Sequence, residues 1–171
     1  MSGAPALDVE VRRVGIDDPL AEPLVRGLTE EYVRRYGPEA HEEMTRYPAD
    51  SWTAPHGLLL LLLEDGEPVA GGAYKRYDER TAEVKRMWTA SAHRRRGLAR
   101  RVLAELERAA AGAGYDRIFL TTGPRQPEAR GLYLAAGYSP LFDVDADPPS
   151  SPADGQEGPR IGPLPFEKQL L

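Results

Sequence analysis

The chain has 171 residues, no cysteine and a formal net charge of −5 at pH 7. That length suits one domain with a proper core, and 41 % hydrophobic with 29 % charged residues is the balance of a soluble globular protein. The composition excludes disulfide support, thiolate metal sites and a cysteine nucleophile, and the acidic balance argues against general nucleic-acid binding.

No basic-then-apolar leader opens the chain, so a cytoplasmic location is expected. Val9–Val14 alternates apolar and charged residues and predicts a first strand. Asp17 or Asp18 can cap a helix with Pro19 in its first turn. Leu20, Leu24, Leu28, Tyr32 and Tyr36 then form one stripe, and Gly37-Pro38 ends it. Residues 39–47 suit a second short helix, and Trp52–Gly57 a loop. Leu58–Leu63 is a run of six leucines, too short to span a bilayer. It predicts a buried central strand, although leucine is not the strongest strand former. With the turn Glu64-Asp-Gly-Glu67 and the run Val69–Tyr77 it reads as a hairpin. Asp78-Glu-Arg80 turns into a fourth strand, Ala82–Thr89. On it Glu83, Lys85, Met87 and Thr89 share one face, and Val84, Arg86 and Trp88 the other. Leu98, Val102, Leu106 and Ala110 recur at helical spacing from Gly97 to about Gly112–Gly114. Ile118–Thr122 is the fifth strand. Pro127 can start the last helix and Gly137 can end it. Residues 143–163, rich in Pro, Gly, Asp and Ser, predict a long mobile loop, after which Leu164–Leu170 closes the sheet. Antiparallel strands followed by a strand–helix–strand–helix unit indicate a mixed α/β sheet.

The chemistry concentrates where the fourth strand meets the long helix. The first turn of a helix has backbone N–H groups without internal partners and partial positive charge. A glycine there lets a phosphate approach closely, and Arg94, Arg95, Arg96 and Arg100 can add charge-assisted bonds. A phosphorylated ligand is therefore expected at residues 94–100. A solvated basic helix end is the plainer alternative, and Arg101 is set to pair with Glu105 one turn on. His41, His56 and His93 are scattered without ligand spacing, so no metal site is expected.

The order R-x-x-G-x-A over Arg94–Ala99 resembles the acetyl-CoA-binding motif of the GNAT N-acetyltransferases. Three further stretches fall in the family's order: Glu83-Val-Lys-Arg-Met-Trp as its fourth strand, Ile118–Gly123 as its fifth, and Gln126–Tyr138 as the next helix and turn, with the A-x-x-L-Y-x-x-x-G-[FY] ending. Phe166-Glu-Lys resembles the last strand of one bacterial subgroup. The loop departs from the family in ending on Ala99 rather than glycine, and Gln126 stands where many members carry asparagine.

The resemblance implies one N-acetyltransferase domain over 1–171. Its fold would be a mixed, mostly antiparallel sheet of about seven strands with flanking helices, its parallel fourth and fifth strands splayed apart to hold pantetheine. It implies acetyl-CoA as cosubstrate and direct transfer to a primary amine of a small molecule, amino acid or peptide, with no covalent enzyme intermediate. Met87, Trp88 and Thr89 would offer backbone groups to the pantetheine. Arg94, Arg95, Arg96, Gly97, Leu98, Ala99 and Arg100 would surround the pyrophosphate, with Gln126 and Ala129 beside the cofactor. Tyr133 would protonate the departing thiolate, and Glu83 would be the general base. The bland readings stay open: Tyr133 as a packed aromatic, and Glu83 as an ion-pair partner of Lys85 or Arg76. Tyr32, Tyr36, Tyr47, Trp52, Glu39, Glu42, Glu43, Asp143, Asp145 and Asp147 could shape an acceptor site for a cationic amine, or be ordinary core aromatics and solvated acids. Relatives are often dimers, so a homodimer is a further implied partner; neither nucleic acid nor membrane is. The competing functions are a non-catalytic acyl-CoA-binding sensor or structural module, and a nucleic-acid binder using the arginines, which the net charge opposes.

Overall fold

In a computed structural model of the chain, the described residues are 8–40, 48–122, 127–142 and 164–170. Among these described residues, seven strands form one sheet in the order β1-β2-β3-β4-β5-β7-β6. They are β1 (Glu10–Val14), β2 (Leu58–Glu64), β3 (Glu67–Arg76), β4 (Thr81–Thr89), β5 (Arg117–Thr122), β6 (Ser139–Pro140) and β7 (Leu164–Gln169). Every neighbouring pair is antiparallel except β4 and β5. Helices α1 (Glu22–Tyr36), α2 (Leu98–Gly112) and α3 (Pro127–Ala135) flank the sheet. The mixed α/β sheet read from the sequence is the one observed. One edge differs: β7 does not close the sheet but lies between β5 and the two-residue β6.

The leucine run explains the two-faced core. Leu58, Leu60 and Leu62 enter the cluster under α2, together with Val84, Val102, Leu106 and Phe166. Leu59, Leu61 and Leu63 enter the cluster under α1, with Leu24, Leu28, Trp52 and Ala73. A strand covered on both faces needs no polar alternation, and each leucine so buried contributes about 1.5–3 kcal/mol. Asp65 (φ 51°) and Gly66 (φ 80°) are both left-handed, as a two-residue hairpin turn between β2 and β3 requires.

Both helices come close to β3 through glycine. A Cβ on Gly71 would stand 2.8 Å from a Leu24 methyl of α1, and one on Gly72 would stand 2.9 Å from Val102 of α2. At the start of α1, Asp18 accepts from the Leu20 N–H at 2.9 Å and caps a short 3-10 turn, Pro19–Ala21, that leads into the helix. Gly37, at φ 91°, ends α1 and donates to Val33 O. A further 3-10 turn, Ala49–Trp52, precedes the loop that runs to Gly57, so only its first predicted residue, Trp52, is in the turn. The predicted helix at 39–47 lies largely outside the described residues, and the predicted loop 143–163 entirely so.

Candidate active site

The site begins where the parallel pair comes apart. β4 and β5 are in register from Thr81↔Arg117 to Val84↔Leu120 and no further. Beyond that point β4 stays with β3 to Ala70↔Thr89, while β5 stays with β7 to Thr122↔Leu164. A wedge therefore opens between Lys85–Thr89 and the end of β5.

A bulge shapes the β4 side of this wedge. Gly71 faces Trp88 and Ala73 faces Lys85, so Arg86 and Met87 together oppose Gly72. Arg86 takes φ 63°, is buried, and lays its guanidinium over the Trp52 ring at 5.3 Å. One extra residue reverses the inside–outside parity of everything after it. The predicted faces of β4 are corrected accordingly. Met87 packs into the α2 cluster, where its sulfur lies 2.7 Å from a Cβ built on Gly72. Trp88 packs into the α1 cluster against Gly27. Glu83 and Met87, expected on one face, point to opposite faces.

After β4 the chain makes a 3-10 turn, Ser91–His93, and enters α2 through two left-handed residues, Arg95 (φ 64°) and Gly97 (φ 77°). Gly97 is the N-cap of α2, and among the described residues no side chain caps that end. Among the described residues nothing lies within 4 Å of a Cβ built on Gly97, so there is room beside the helix start, where the first-turn N–H groups have no helical partners. Leu98, fully buried, roots the helix, and Ala99 is half-buried beside it. The arginines divide. Arg94 and Arg95 are exposed. Arg96 forks onto Glu64 at the end of β2, with contacts of 3.3 and 2.5 Å. Arg100 donates to Ala135 O at the end of α3, 2.9 Å away. Arg101 pairs with Glu105 at 3.1 Å, as its spacing foretold.

Tyr133 projects from α3 and is buried, edge-on to Tyr138 at 5.8 Å and tilted against Phe166 at 5.7 Å. Burial first, and then the nearby Tyr32, push its phenol well above the ordinary range. Tyr32 packs against the α1-side cluster and Tyr133 belongs to the α2-side one. Glu83 sits at the closed end of the wedge, opposite Phe119 of β5 and Lys75 of β3. It is buried and ion-paired to Lys75 at 3.2 Å, with Lys85 at 3.9 Å.

A family model for the acetyltransferase (GNAT) family matches residues 25–138. The chain belongs to the acetyltransferase (GNAT) family. It is 38 % identical over 92 residues to an uncharacterised N-acetyltransferase, YsnE, of Bacillus subtilis (strain 168); the match covers 50 % of this chain and 61 % of that relative's length. Solved GNAT structures share the fold at low identity. The PaiA N-acetyltransferase of Thermoplasma acidophilum, in complex with coenzyme A, superposes with a TM-score of 0.65 at 18 % identity, covering 95 % of this chain and 99 % of that one. A GNAT family acetyltransferase of Elizabethkingia anophelis with acetyl-CoA bound gives 0.66 at 15 %, covering 96 % and 100 %.

In this GNAT chain the sequence-predicted residues gather in two groups. Met87, Trp88, Thr89 and the loop Arg94–Arg100 line or adjoin the mouth of the wedge. Tyr133 and Ala129 come from α3, with Ala129 packed on the α2-side cluster. Gln126 lies outside the described residues, as do Tyr47, Glu42, Glu43, Asp143, Asp145 and Asp147 of the acceptor list. Among the described residues no group of three or more His, Asp and Glu is placed to hold a metal, and no helix is long and apolar enough to cross a membrane. Sequence reasoning missed Glu64 and the bulge at Arg86. Glu64 carries no local signal, since its partner lies 32 residues on. The bulge carries none either, because arginine at a left-handed position looks like any other strand residue.

Proposed function

We propose that the chain transfers the acetyl group of acetyl-CoA directly to a primary amine of a small molecule, amino acid or peptide. One observation carries the reading. The wedge between β4 and β5 opens onto the uncapped, glycine-led N-terminus of α2, so a slot for an extended amide chain ends at a socket for phosphate. Membership of the acetyltransferase (GNAT) family and the coenzyme A and acetyl-CoA held by two fold neighbours support the same ligand.

In this reading Met87–Thr89 offer main-chain groups to pantetheine, and Gly97–Arg100 with Arg94 and Arg95 meet the pyrophosphate. Tyr133, kept protonated by its burial, gives its proton to the leaving thiolate. Glu83 accepts the proton of the attacking amine, directly or through water. Its ion pair with Lys75 favours a second proton route, in which the amine arrives neutral and water takes the proton. A thiol-release assay with acetyl-CoA over a panel of amines tests the proposal. Turnover with at least one amine is expected. Acetyl-CoA binding without turnover on any would replace the reading with a non-catalytic acyl-CoA-binding module, and absence of binding would end both.

A further inference from the structure

Between β2 and the socket lies a three-residue clamp. Arg96 is bracketed by Arg95 and Gly97, both left-handed. A non-glycine residue is strained in that conformation, so the loop holds its shape only if something outside it fixes the chain. The fixing group is Glu64, the last residue of β2. Its two carboxylate oxygens accept from both terminal nitrogens of Arg96, the bidentate geometry that most restricts a guanidinium. Arg96 Nη1, the nitrogen that donates to Glu64 Oε1, also lies 2.7 Å from His93 Nδ1. A guanidinium has only donors, so His93 accepts there and ties the 3-10 turn to the same point. All three side chains are half-buried. Arg96 holds the Glu64 carboxyl below its usual range, chiefly through the hydrogen bonds.

This arrangement is odd for an anion socket. A carboxylate beside it repels phosphate and occupies one of the cations that could bind it. Charge alone would have removed Glu64.

We infer that Glu64 is a positioning residue for acetyl-CoA: through Arg96 and His93 it pins the loop 93–97 to the β2–β3 hairpin and presets the α2 N-terminus for the pyrophosphate. Arg96 is then a structural cation, and Arg94, Arg95 and the helix N–H groups carry the contact. The inference rests on the reading that acetyl-CoA binds at this socket. What Glu64 saves is the ordering of the loop at the moment of binding.

The opposite assignment, Arg96 as a direct phosphate ligand, makes Glu64 a competitor, and the two differ in sign. Calorimetry with acetyl-CoA is run on the wild type, Glu64→Gln, Arg96→Gln and the double variant, with melting temperatures and steady-state kinetics alongside. Glu64→Gln removes a negative charge yet should weaken binding about three- to ten-fold. It should raise KM for acetyl-CoA with kcat at saturation held. The double variant should be no weaker than either single one, because both open the same clamp. Glu64→Asp, which keeps the charge but is too short to reach Arg96 as a fork, should behave like Glu64→Gln. If Glu64→Gln folds poorly, Glu64→Asp carries the test. Tighter or unchanged binding in the Glu64 variants, or additive losses in the double variant, overturns the inference while leaving the socket in place. A wild type that does not bind acetyl-CoA overturns the socket, and the inference with it.

Discussion

Tyr133 and Glu83 differ in what their surroundings let them do. The Tyr133 phenol is buried among Tyr138 and Phe166, and its proton is held more tightly than in a free tyrosine. A donor to a thiolate must be protonated throughout the working range, so it should fail only above the ordinary tyrosine value of 10.0. Tyr133→Phe should lower kcat by about ten- to ten-thousand-fold, with little change in acetyl-CoA affinity because the ring still packs. Wild-type turnover in that variant would leave the residue as packing only. Glu83 is instead committed to Lys75 at 3.2 Å. If it is the base, the ascending limb of kcat/KM against pH depends on it, and Glu83→Gln should be slow near neutral pH and recover at high pH, where the amine is already neutral. If the ion pair is its whole role, Glu83→Gln should lower the melting temperature and leave the shape of the profile unchanged. The pair of profiles, read beside the melting curves, separates these roles.

At the scale of elements, Gly27 tests how far tertiary packing overrides propensity. In the interior of an exposed helix, glycine to alanine gains about 1 kcal/mol. Here a Cβ on Gly27 of α1 would stand 2.4 Å from the Trp88 indole nitrogen. Gly27→Ala should therefore destabilise, by about 1–3 kcal/mol as for overpacked cores, seen as a lower denaturant midpoint. It should also displace Trp88 at the wedge and weaken acetyl-CoA binding; a more stable Gly27→Ala would mean that Trp88 is free to move aside. Strands, helices and the glycine-led socket were legible because each is local: alternation, a 3.6-residue stripe, a strand–Gly–helix order. The bulge was not. It arises from Gly72 of β3 facing two residues of β4 at once, a register choice between strands that no window of one strand contains. The faces of Met87 and Trp88 were misread for that reason alone. β6 was missed because two residues, Ser139 and Pro140, carry no periodicity and pair only through Phe166 and Glu167. The acceptor side fared worst, since the residues named for it lie partly in segments outside the described ones.

For the whole molecule, the wedge is a place where the sheet gives up pairing. Among the described residues, β4 from Lys85 onward has β3 on one side and no strand on the other, while Met87 and Trp88 pack into the clusters on its two faces. A ligand inserted there would restore main-chain bonds to β4 and, at the mouth, would meet the loop and the start of α2. Because it would bind the folded state and not the unfolded one, its effect on stability would follow its affinity. At a hundredfold excess over its dissociation constant, acetyl-CoA should add about 2.7 kcal/mol. For a chain of this size each kcal/mol moves the midpoint by about 2–4 °C, so thermal unfolding should shift upward by about 5–10 °C. Gly97→Glu makes the test specific. Among the described residues nothing lies within 4 Å of its Cβ, but it needs the left-handed φ of 77° and puts a carboxylate at the socket. The variant should melt slightly below the wild type without ligand and show no shift with acetyl-CoA. An equal shift in both proteins would put the ligand elsewhere than the α2 N-terminus; a shift in neither would remove acetyl-CoA as the ligand of the wedge.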